Sequence, residues 1–474
     1  MIGYHPESEK AAEFINHQEI LDSIAFGYEN KDNLQWMQQI LERARDCKGL
    51  SHREAIALLE CKDEGILEKI YQVAKEIKDK IFGRRIVMFA PLYLSNYCVN
   101  GCTYCPYHYK NKTIRRKKLS QEEIRKEVIA LQDMGHKRLA LETGEDPVHS
   151  PIEYVLESIK TIYSIHHKNG AIRRVNVNIA ATSVENYEKL RDAGIGTYIL
   201  FQETYHQPTY EALHPTGPKH NYEYHTEAMD RAMLGGIDDV GIGVLFGLYE
   251  YRYDFVGMLM HAEHLEARFG VGPHTISVPR IRPADDIDVS EFPNAIVDSL
   301  FKKIVALLRI FAPYAGIIVS TRESESSRAD VLEIGVSQIS GASSTSVGGY
   351  VEPEKEEDNS AQFDTSDKRT LDEVIYWLLK LGYVPSFCTA CYREGRTGDR
   401  FMRLAKSGQI RNVCQPNSLM TLKEYLLDYA SPQTKEIGER VIIEEMQDIK
   451  SEAARKKAQK YLDQLEHGSR DFRF

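Results

Sequence analysis

Three cysteines within eight residues form the part of this chain most clearly suited to chemistry. They are Cys98, Cys102 and Cys105, spaced Cys-x3-Cys-x2-Cys, and Tyr104 directly precedes the last of them. A structural zinc site takes four protein ligands, and no fourth Cys or His lies here at the spacing of a zinc knuckle. A [4Fe–4S] cluster held by only three thiolates leaves one iron open. The spacing therefore predicts an iron–sulfur cluster whose open iron binds a small molecule.

A second group of three cysteines follows near the C-terminal end: Cys388, Cys391 and Cys414. Again no fourth cysteine lies close by, so we interpret this group as a second [4Fe–4S] cluster with an open iron. Zinc sites also use Cys-x2-Cys, so a zinc site completed by a distant histidine remains an alternative, as do cysteines that bind no metal. Two open clusters in one chain suggest that a product made at the first is captured on a metal at the second.

Composition narrows the class of protein. The 474 residues carry a net charge of −10, which argues against a general nucleic-acid footprint. We see no apolar run of 18 residues and no signal peptide, so we expect a cytoplasmic protein without contact with membranes. Six of the eight cysteines belong to the two triplets, which fits thiolate ligation in a reducing compartment. The basic run at residues 110–118 is predicted to be a solvated face, with docking of an acidic electron donor as the alternative.

Hydrophobic periodicity divides the chain into three regions. Residues 1–84 are predicted to form an N-terminal helical extension, and residues 351–474 a helical C-terminal iron–sulfur domain. Between them, β-rich runs alternate with capped helices. The predicted strands are 86–94, 138–142, 175–180, 198–202, 240–245, 275–279, 317–320 and 337–339. Eight strands separated by helical sequence predict an α/β fold, a (β/α)8 TIM-type barrel over residues 85–350, and not a doubly wound sheet.

Local signals add detail to these regions. Capping boxes predict helix starts at Ser51, Ser120, Thr182, Thr370 and Thr421. Residues 351–358 are predicted to be an acidic surface linker, and residues 433–467 one long charged helix. We expect His261 and His264 to be exposed or to cap a helix.

The first strand leads into the Cys98 loop, which places the first cluster at the C-terminal mouth of the barrel. Thr143, Gly144 and Glu145 after the second strand could bind a cofactor through backbone groups and a carboxylate, although a plain glycine turn is the alternative. Asn176 and Asn178 share one side of the third strand because side chains alternate. They could bind the same cofactor or be inward-facing core asparagines.

Three further residues near strand ends could bind a substrate: Glu203, Arg322 and Ser340. A guanidinium can hold a carboxylate with two hydrogen bonds, so Arg322 is the candidate to orient an amino acid. A surface salt bridge from Arg322 to Glu323 or Glu325 is the alternative. His274 opens the sixth strand, and a lone histidine is more often structural than a metal ligand.

Together these motifs resemble the aromatic amino-acid lyases of the radical S-adenosylmethionine (SAM) superfamily. The resemblance rests on the Cys98, Cys102 and Cys105 motif, on the strands reading TYILFQETY and TISVPRIRP, and on STRE at residues 320–323. It covers essentially the whole chain. One departure is Thr143, which stands where the superfamily's GGE-like stretch has its first glycine. The second triplet is similar to that of the [FeFe]-hydrogenase maturation branch and distinguishes the chain from the thiamine branch.

The resemblance implies SAM and two [4Fe–4S] clusters as cofactors, the second with an additional labile iron for which His274 is the predicted ligand. The implied SAM-binding residues are Tyr104, Thr143, Gly144, Glu145, Asn176 and Asn178, and the implied catalytic residues are Arg322, Ser340 and Glu203.

The implied reaction cleaves the Cα–Cβ bond of L-tyrosine to p-cresol and dehydroglycine. The fragment then yields carbon monoxide and cyanide, delivered as an Fe(CO)(CN) unit for hydrogenase assembly. A one-electron reductant such as ferredoxin or flavodoxin and other hydrogenase maturation proteins are the implied partners. A 2-iminoacetate synthase of thiamine thiazole synthesis and a non-catalytic iron–sulfur carrier remain alternative functions.

Overall fold

A closed barrel of eight parallel strands stands at the centre of the computed structural model, which describes residues 3–352 and 360–474. The strands among these residues are β1 (Arg85–Ser95), β2 (Arg138–Thr143), β3 (His166–His167), β4 (Gly170–Ala171), β5 (Arg174–Asn178), β6 (Tyr198–Ile199), β7 (Val240–Gly243), β8 (Thr275–Ser277), β9 (Gly316–Val319), β10 (Gln338–Ser340) and β11 (Val384–Ser386). The barrel order is β1-β2-β5-β6-β7-β8-β9-β10, and β10 pairs back with β1. The predicted (β/α)8 fold and its eight strands are confirmed.

Helices alternate with these strands and extend the chain at both ends. Those among the described residues are α1 (Ala11–Phe14), α2 (His17–Asn30), α3 (Leu34–Ala44), α4 (His52–Glu60), α5 (Glu64–Ile81), α6 (Gln121–Met134), α7 (Ile152–Ser164), α8 (Val184–Asp192), α9 (Gln207–Leu213), α10 (Tyr222–Thr226), α11 (Ala228–Leu234), α12 (Tyr251–Phe269), α13 (Asp298–Phe311), α14 (Glu325–Ile334), α15 (Leu371–Lys380), α16 (Ala390–Arg393), α17 (Gly398–Lys406), α18 (Arg411–Asp428), α19 (Pro432–Gln447) and α20 (Glu452–Glu466). None of the described helices is both long and apolar enough to span a membrane.

Three of the predicted capping boxes are present. The side chains of Ser51, Ser120 and Thr370 each accept a hydrogen bond from the backbone amide three residues further on. The side chain of the glutamate at that position accepts a hydrogen bond from the N-cap backbone amide. These reciprocal bonds satisfy donors that a helix start would otherwise leave unpaired. They explain why α4, α6 and α15 begin at these positions.

Other local predictions are wrong. The cap of α8 is Ser183 and not Thr182, because the Ser183 side chain accepts from the Asn186 amide. Thr421 lies inside α18 and starts no helix. The predicted long helix at 433–467 is two helices, α19 and α20. The predicted acidic linker falls largely on residues 353–358, which lie outside the described residues.

The strand β11 was not predicted, and it joins the C-terminal region to the barrel sheet. Its three residues pair in parallel with Arg85, Ile86 and Val87 at the start of β1, before pairing with β2 begins at Ala90. Three residues containing a proline give no usable strand signal, and proline is tolerated there because β11 is an edge strand. Cys388 follows β11 directly and so lies at the N-terminal end of the barrel.

The N-terminal helices cover one side of the barrel. α2 and α4 pack against α12, and α5 packs against α13 and α14. His261 and His264 on α12 are therefore buried, and the prediction that they are exposed is wrong. The ring of His264 stacks on Phe14 at 3.7 Å between centroids and lies 3.0 Å from a carboxylate oxygen of Asp230.

A buried ion cluster joins the C-terminal helices to the barrel. Nζ of Lys137, just before β2, lies 3.3 Å from Oε2 of Glu424 on α18, and both side chains are 0% exposed. A guanidinium nitrogen of Arg173 lies 2.8 Å from the same oxygen. The other oxygen of Glu424 accepts a hydrogen bond of 2.7 Å from the Asp471 amide. Glu424 therefore pairs with two buried cations, and Asp471 is a second partner of Arg173 at 3.3 Å.

We expect the substitution Glu424→Gln to destabilise the protein by about 3–5 kcal/mol, because it leaves the buried Lys137 without its ion-pair partner and removes one of the two carboxylates paired with Arg173. The measurement is the midpoint of thermal unfolding by circular dichroism. The matched control is Glu444→Gln on α19, whose side chain is exposed, and it should leave the midpoint unchanged. Equal midpoints for the two variants would contradict a structural role for this cluster.

Candidate functional site

The two cysteine triplets lie at opposite ends of the barrel. Cys98 comes three residues after the C-terminal end of β1, whereas Arg85 at its start lines one cavity with Cys388, Cys391 and Cys414. At the usual rise per residue, the eleven residues of β1 span about 33 Å. The sequence predicted the two groups of ligands, and the barrel sets the distance between them.

The first triplet lines a cavity of about 150 Å³ at the barrel mouth. Burial raises the pKa of all three thiols, that of Cys105 to about 11. The protein alone therefore does not stabilise three thiolates here, and bound iron would supply the missing positive charge, since a metal deprotonates its thiol ligands. Three thiols around one cavity fit a [4Fe–4S] cluster with one open iron.

The turn after β2 is fixed against the cysteine loop. A carboxylate oxygen of Glu145 accepts a 2.6 Å hydrogen bond from the Asn100 side chain, and the Glu145 carbonyl accepts a 2.8 Å bond from the Val99 amide. A Cβ at Gly144 would lie 2.2 Å from the Tyr97 carbonyl oxygen, so only glycine allows this approach. The turn therefore presents its backbone next to the place of the cluster.

Five of the six predicted SAM-binding residues line the same cavity as the thiols: Tyr104, Thr143, Gly144, Glu145 and Asn178. The Tyr104 hydroxyl lies 2.7 Å from Nε2 of His214. Asn176 has a different environment, because it is buried and its side-chain oxygen accepts a 3.0 Å hydrogen bond from the Thr197 amide. That contact is the one expected of a core asparagine.

A second cavity of about 100 Å³ lies next to the first inside the barrel. Both cavities share the wall residues Glu142, Asn178, Phe201, Arg322, Gln362 and Phe363. Since so many residues line both, the two cavities are neighbouring parts of one interior space. Phe89, Tyr93, Phe201 and Phe363 make the second part rich in aromatic rings.

The predicted substrate-binding residues meet in this space. Arg322 is half-buried, and its guanidinium carbon lies 3.5 Å from the centroid of the Phe363 ring. Ser340 lines the second cavity, and its hydroxyl oxygen accepts a 3.2 Å hydrogen bond from the Thr321 amide. Glu203 lines the first cavity with its carboxylate 2.7 Å from Nζ of Lys219.

Arg322 does not form the alternative salt bridges to Glu323 or Glu325, because both glutamates pair with other arginines. Glu323 pairs with Arg280 and Arg282, and Glu325 pairs with Arg369. Arg322 itself faces the two cavities and not the surface. This location suits a group that binds a carboxylate entering the barrel.

The second triplet lines a smaller cavity at the other end of the barrel, together with His274. Nε2 of His274 lies 3.2 Å from the Tyr392 hydroxyl, and Nδ1 lies 3.5 Å from a carboxylate oxygen of Asp239. Burial lowers the pKa of His274, which favours the neutral imidazole that binds metals. The predicted histidine therefore lies beside the predicted cysteines.

The environment of this cavity favours one thiolate of the three. The Cys391 thiol donates a hydrogen bond to Cys414, and Arg85 lies beside them, so the pKa of Cys414 is lowered. The hydrogen bond to Cys414 raises the pKa of Cys391 and burial raises that of Cys388, so bound iron would supply the missing positive charge there. The described residues contain no group of three His, Cys, Asp or Glu side chains gathered to hold a single ion. In a [4Fe–4S] cluster each cysteine binds a different iron, and thiols spaced around a cavity fit that arrangement.

Several residues at these sites were not predicted. They are Tyr93, Glu142 and Lys219 in the first two cavities and Arg85 and Tyr392 in the third. Strand alternation could have identified Glu142, because Ala140 and Glu142 on β2 both face the interior. Lys219 lies in a loop, and no local pattern marks it.

Comparisons with known proteins agree with this geometry. Profiles of the Radical SAM superfamily and of the Biotin and Thiamin Synthesis associated domain match residues 92–261 and 277–384. The 2-iminoacetate synthase of Salmonella typhimurium is 30% identical over 347 residues, which covers 73% of this chain and 89% of that protein. The Escherichia coli 2-iminoacetate synthase is also 30% identical and covers the same shares.

Two solved structures resemble the chain over nearly its full length. HydG, a maturase of the [FeFe]-hydrogenase, is 54% identical with a TM-score of 0.95, covering 98% of this chain and 100% of that one. HydG from Carboxydothermus hydrogenoformans is 38% identical with a TM-score of 0.79, covering 94% and 99%. With three thiols around a cavity at the mouth of a (β/α)8 barrel, these matches show that the chain belongs to the radical SAM superfamily, where it resembles the HydG maturases.

Proposed function

We propose that this chain is a radical SAM tyrosine lyase of [FeFe]-hydrogenase maturation. It cleaves the Cα–Cβ bond of L-tyrosine to p-cresol and dehydroglycine, and the fragment is broken down to carbon monoxide and cyanide. These two ligands leave on iron as an Fe(CO)(CN) unit. The observation that carries the proposal is the placement of two cysteine triplets at opposite ends of one barrel.

The first site prepares and holds the reactants. Cys98, Cys102 and Cys105 would hold the [4Fe–4S] cluster, and the turn at Gly144 and Glu145 would hold the amino-acid end of SAM. When bound, cluster and SAM supply the one-electron cleavage of the S–C5′ bond. The chain itself contributes position, because the turn is fixed to the cysteine loop, and the buried wall residues Cys102, Tyr107 and Leu200 help to exclude water.

Arg322 is the proposed anchor of the substrate. Its guanidinium would hold the tyrosine carboxylate, and stacking on Phe363 fixes the plane in which it does so. Ser340 offers a hydroxyl in the same cavity, and the aromatic walls at Phe89 and Phe201 suit a phenol ring. Glu203, held by Lys219, places a carboxylate on the opposite side of the first cavity.

The second site is the proposed place of assembly. Cys388, Cys391 and Cys414 would hold the auxiliary cluster, and His274 would hold the labile iron that leaves with the two diatomic ligands. His274 suits this role because it is buried and lines one cavity with the triplet, and a carboxylate oxygen of Asp239 lies 3.5 Å from its Nδ1. One-electron reductants such as ferredoxin or flavodoxin and other maturation proteins are the proposed partners.

The same first site would serve the alternative function, 2-iminoacetate synthesis, and two 2-iminoacetate synthases are 30% identical to this chain. The second triplet favours the maturation function, since lysis of tyrosine alone needs no second cluster. A carrier of iron–sulfur clusters would need neither the interior cavity nor Arg322.

The two sites should be separable by mutation. Cys391→Ala removes a ligand at the opposite end of the barrel from the first cavity, so p-cresol formation should persist while carbon monoxide release is lost. The assay quantifies p-cresol by chromatography and carbon monoxide by binding to deoxyhaemoglobin. Cys98→Ala should abolish both products, and Cys61→Ala, a buried cysteine outside both triplets, should keep both. Normal carbon monoxide release by Cys391→Ala would refute the two-site proposal.

Arg322 should control the affinity for tyrosine. Arg322→Gln removes a charged hydrogen-bond donor worth about 1.5–3 kcal/mol, so we expect the KM for tyrosine to rise about 10–100-fold. Turnover is followed as p-cresol formed at saturating SAM. The control Arg125→Gln changes an exposed arginine of α6 and should leave KM unaltered. An unaltered KM in the Arg322 variant would show that another residue binds the carboxylate.

A further inference from the structure

A free amino acid brings two opposite charges into the barrel. Its carboxylate and its ammonium group both lose water there, and each needs a partner of opposite charge. The proposed function assigns the carboxylate to Arg322. It leaves the ammonium group without a partner, so the cavity walls should contain a carboxylate for it.

Three carboxylates line the first cavity: Glu142, Glu145 and Glu203. Glu203 is held by Lys219 at 2.7 Å, which already neutralises it. Glu145 is tied to the cysteine loop through Asn100 at 2.6 Å, where it faces the place of the cluster. These two are therefore engaged before any substrate enters.

Glu142 differs from both. It is half-buried in the cavity wall, and its hydrogen-bond partner is the amide side chain of Asn178, which brings no charge. Among the ion pairs of the described residues, neither Glu142 nor Arg322 has a partner within 4.0 Å, although the positive charge of Arg322 acts on Glu142 and lowers its pKa. The cavity wall thus contains a carboxyl group, Glu142, and a guanidinium group, Arg322, that have no ion-pair partner in the described part of the chain. A zwitterion needs a partner of each kind.

The position of Glu142 also fits. It is the penultimate residue of β2, and the strand register places it between Tyr93 on β1 and Asn178 on β5. Its side chain lines both cavities, as does Arg322. A substrate whose carboxylate is on Arg322 would have its amino group at the junction of the two cavities, next to the place of SAM.

We infer that Glu142 is a catalytic base that binds the ammonium group of the substrate and takes one proton from it; this rests on the tyrosine lyase activity proposed above. The step converts –NH3⁺ and –COO⁻ into –NH2 and –COOH. One N–H bond breaks with its electron pair left on nitrogen, and one O–H bond forms. No electron is gained or lost, so the step needs no oxidant or reductant.

The electrostatics of the site favour this direction. Burial raises the pKa of Glu142 well above its usual range, and the positive charge of Arg322 opposes that rise. When a substrate carboxylate neutralises Arg322, the opposition weakens and Glu142 binds a proton more strongly. The charged or titratable groups that face Glu142 are Arg322, in the loop after β9, and Tyr93 on β1.

The test compares two ligands that differ only in the amino group: L-tyrosine and 3-(4-hydroxyphenyl)propanoate. Their affinities for the reconstituted full-length holoenzyme with SAM are measured by equilibrium dialysis. Glu142→Gln should weaken tyrosine binding by about 10–100-fold, the loss of one charged hydrogen bond, and leave the propanoate unaffected. Glu142→Asp keeps the charge and should retain the preference for tyrosine. Glu122→Gln, on the exposed face of α6, is the unaltered control.

The pH profile provides a second readout. In the unmutated enzyme, kcat/KM for tyrosine, measured as p-cresol formed, should fall as the pH is lowered and Glu142 becomes protonated. This fall should lie above the usual carboxyl range because the pKa of Glu142 is raised. Glu142→Gln should lose the limb set by Glu142, and its kcat/KM should instead rise only at the pH at which the ammonium group of free tyrosine deprotonates.

Two results would overturn the inference: equal weakening of both ligands by Glu142→Gln, or an unaltered preference for tyrosine with the acid limb retained. Failure of the proposed function is a separate outcome. It would appear as an unmutated holoenzyme that cleaves SAM but forms no p-cresol from tyrosine, whatever residue stands at position 142.

Discussion

The strand β1 is the constraint on which both sites depend. Its first residues pair with β11, its middle with β10 and its end with β2, so the whole strand is hydrogen-bonded along the barrel wall. The cysteine loop that follows it and the C-terminal triplet beside its start are therefore fixed relative to each other. Neither site can move along the barrel axis without breaking these backbone bonds, each of which is costly to lose in a buried sheet.

Buried ion pairs also connect elements that are far apart in the chain. Most charged side chains inside the protein have fixed partners, as the cluster of Lys137, Arg173 and Glu424 and the pair Glu203–Lys219 do. Such pairs hold elements together because removing one partner leaves the other as an uncompensated charge in a medium of low polarity. Arg322 and Glu142 depart from this pattern, since they line shared cavities and have no ion-pair partner within 4.0 Å among the described residues. The contrast separates structural charges from those available for binding.

Much of the fold could be predicted because the signals are local. Apolar runs of the right length placed the eight barrel strands, and Ser51, Ser120 and Thr370 marked three helix starts. The wrong predictions concern positions whose environment is set by residues distant in the chain. His261 and His264 were expected at the surface because their own helix gives no sign that the N-terminal extension covers it. Thr421 and Glu424 have the spacing of a capping box, but Glu424 is buried and pairs with Lys137 instead.

For the candidate site, the sequence by itself determined the ligand types: two cysteine triplets, an arginine after a strand end and a glycine turn. Residue identity and short spacing carry that information, because neighbouring residues on one loop stay close in any fold. Only the tertiary structure decided that the triplets occupy opposite ends of one barrel, that His274 joins the second, and that Glu142 shares a cavity with Arg322. Closure of the barrel brings strands far apart in the chain around one interior, and no local pattern encodes which side chains then face one another.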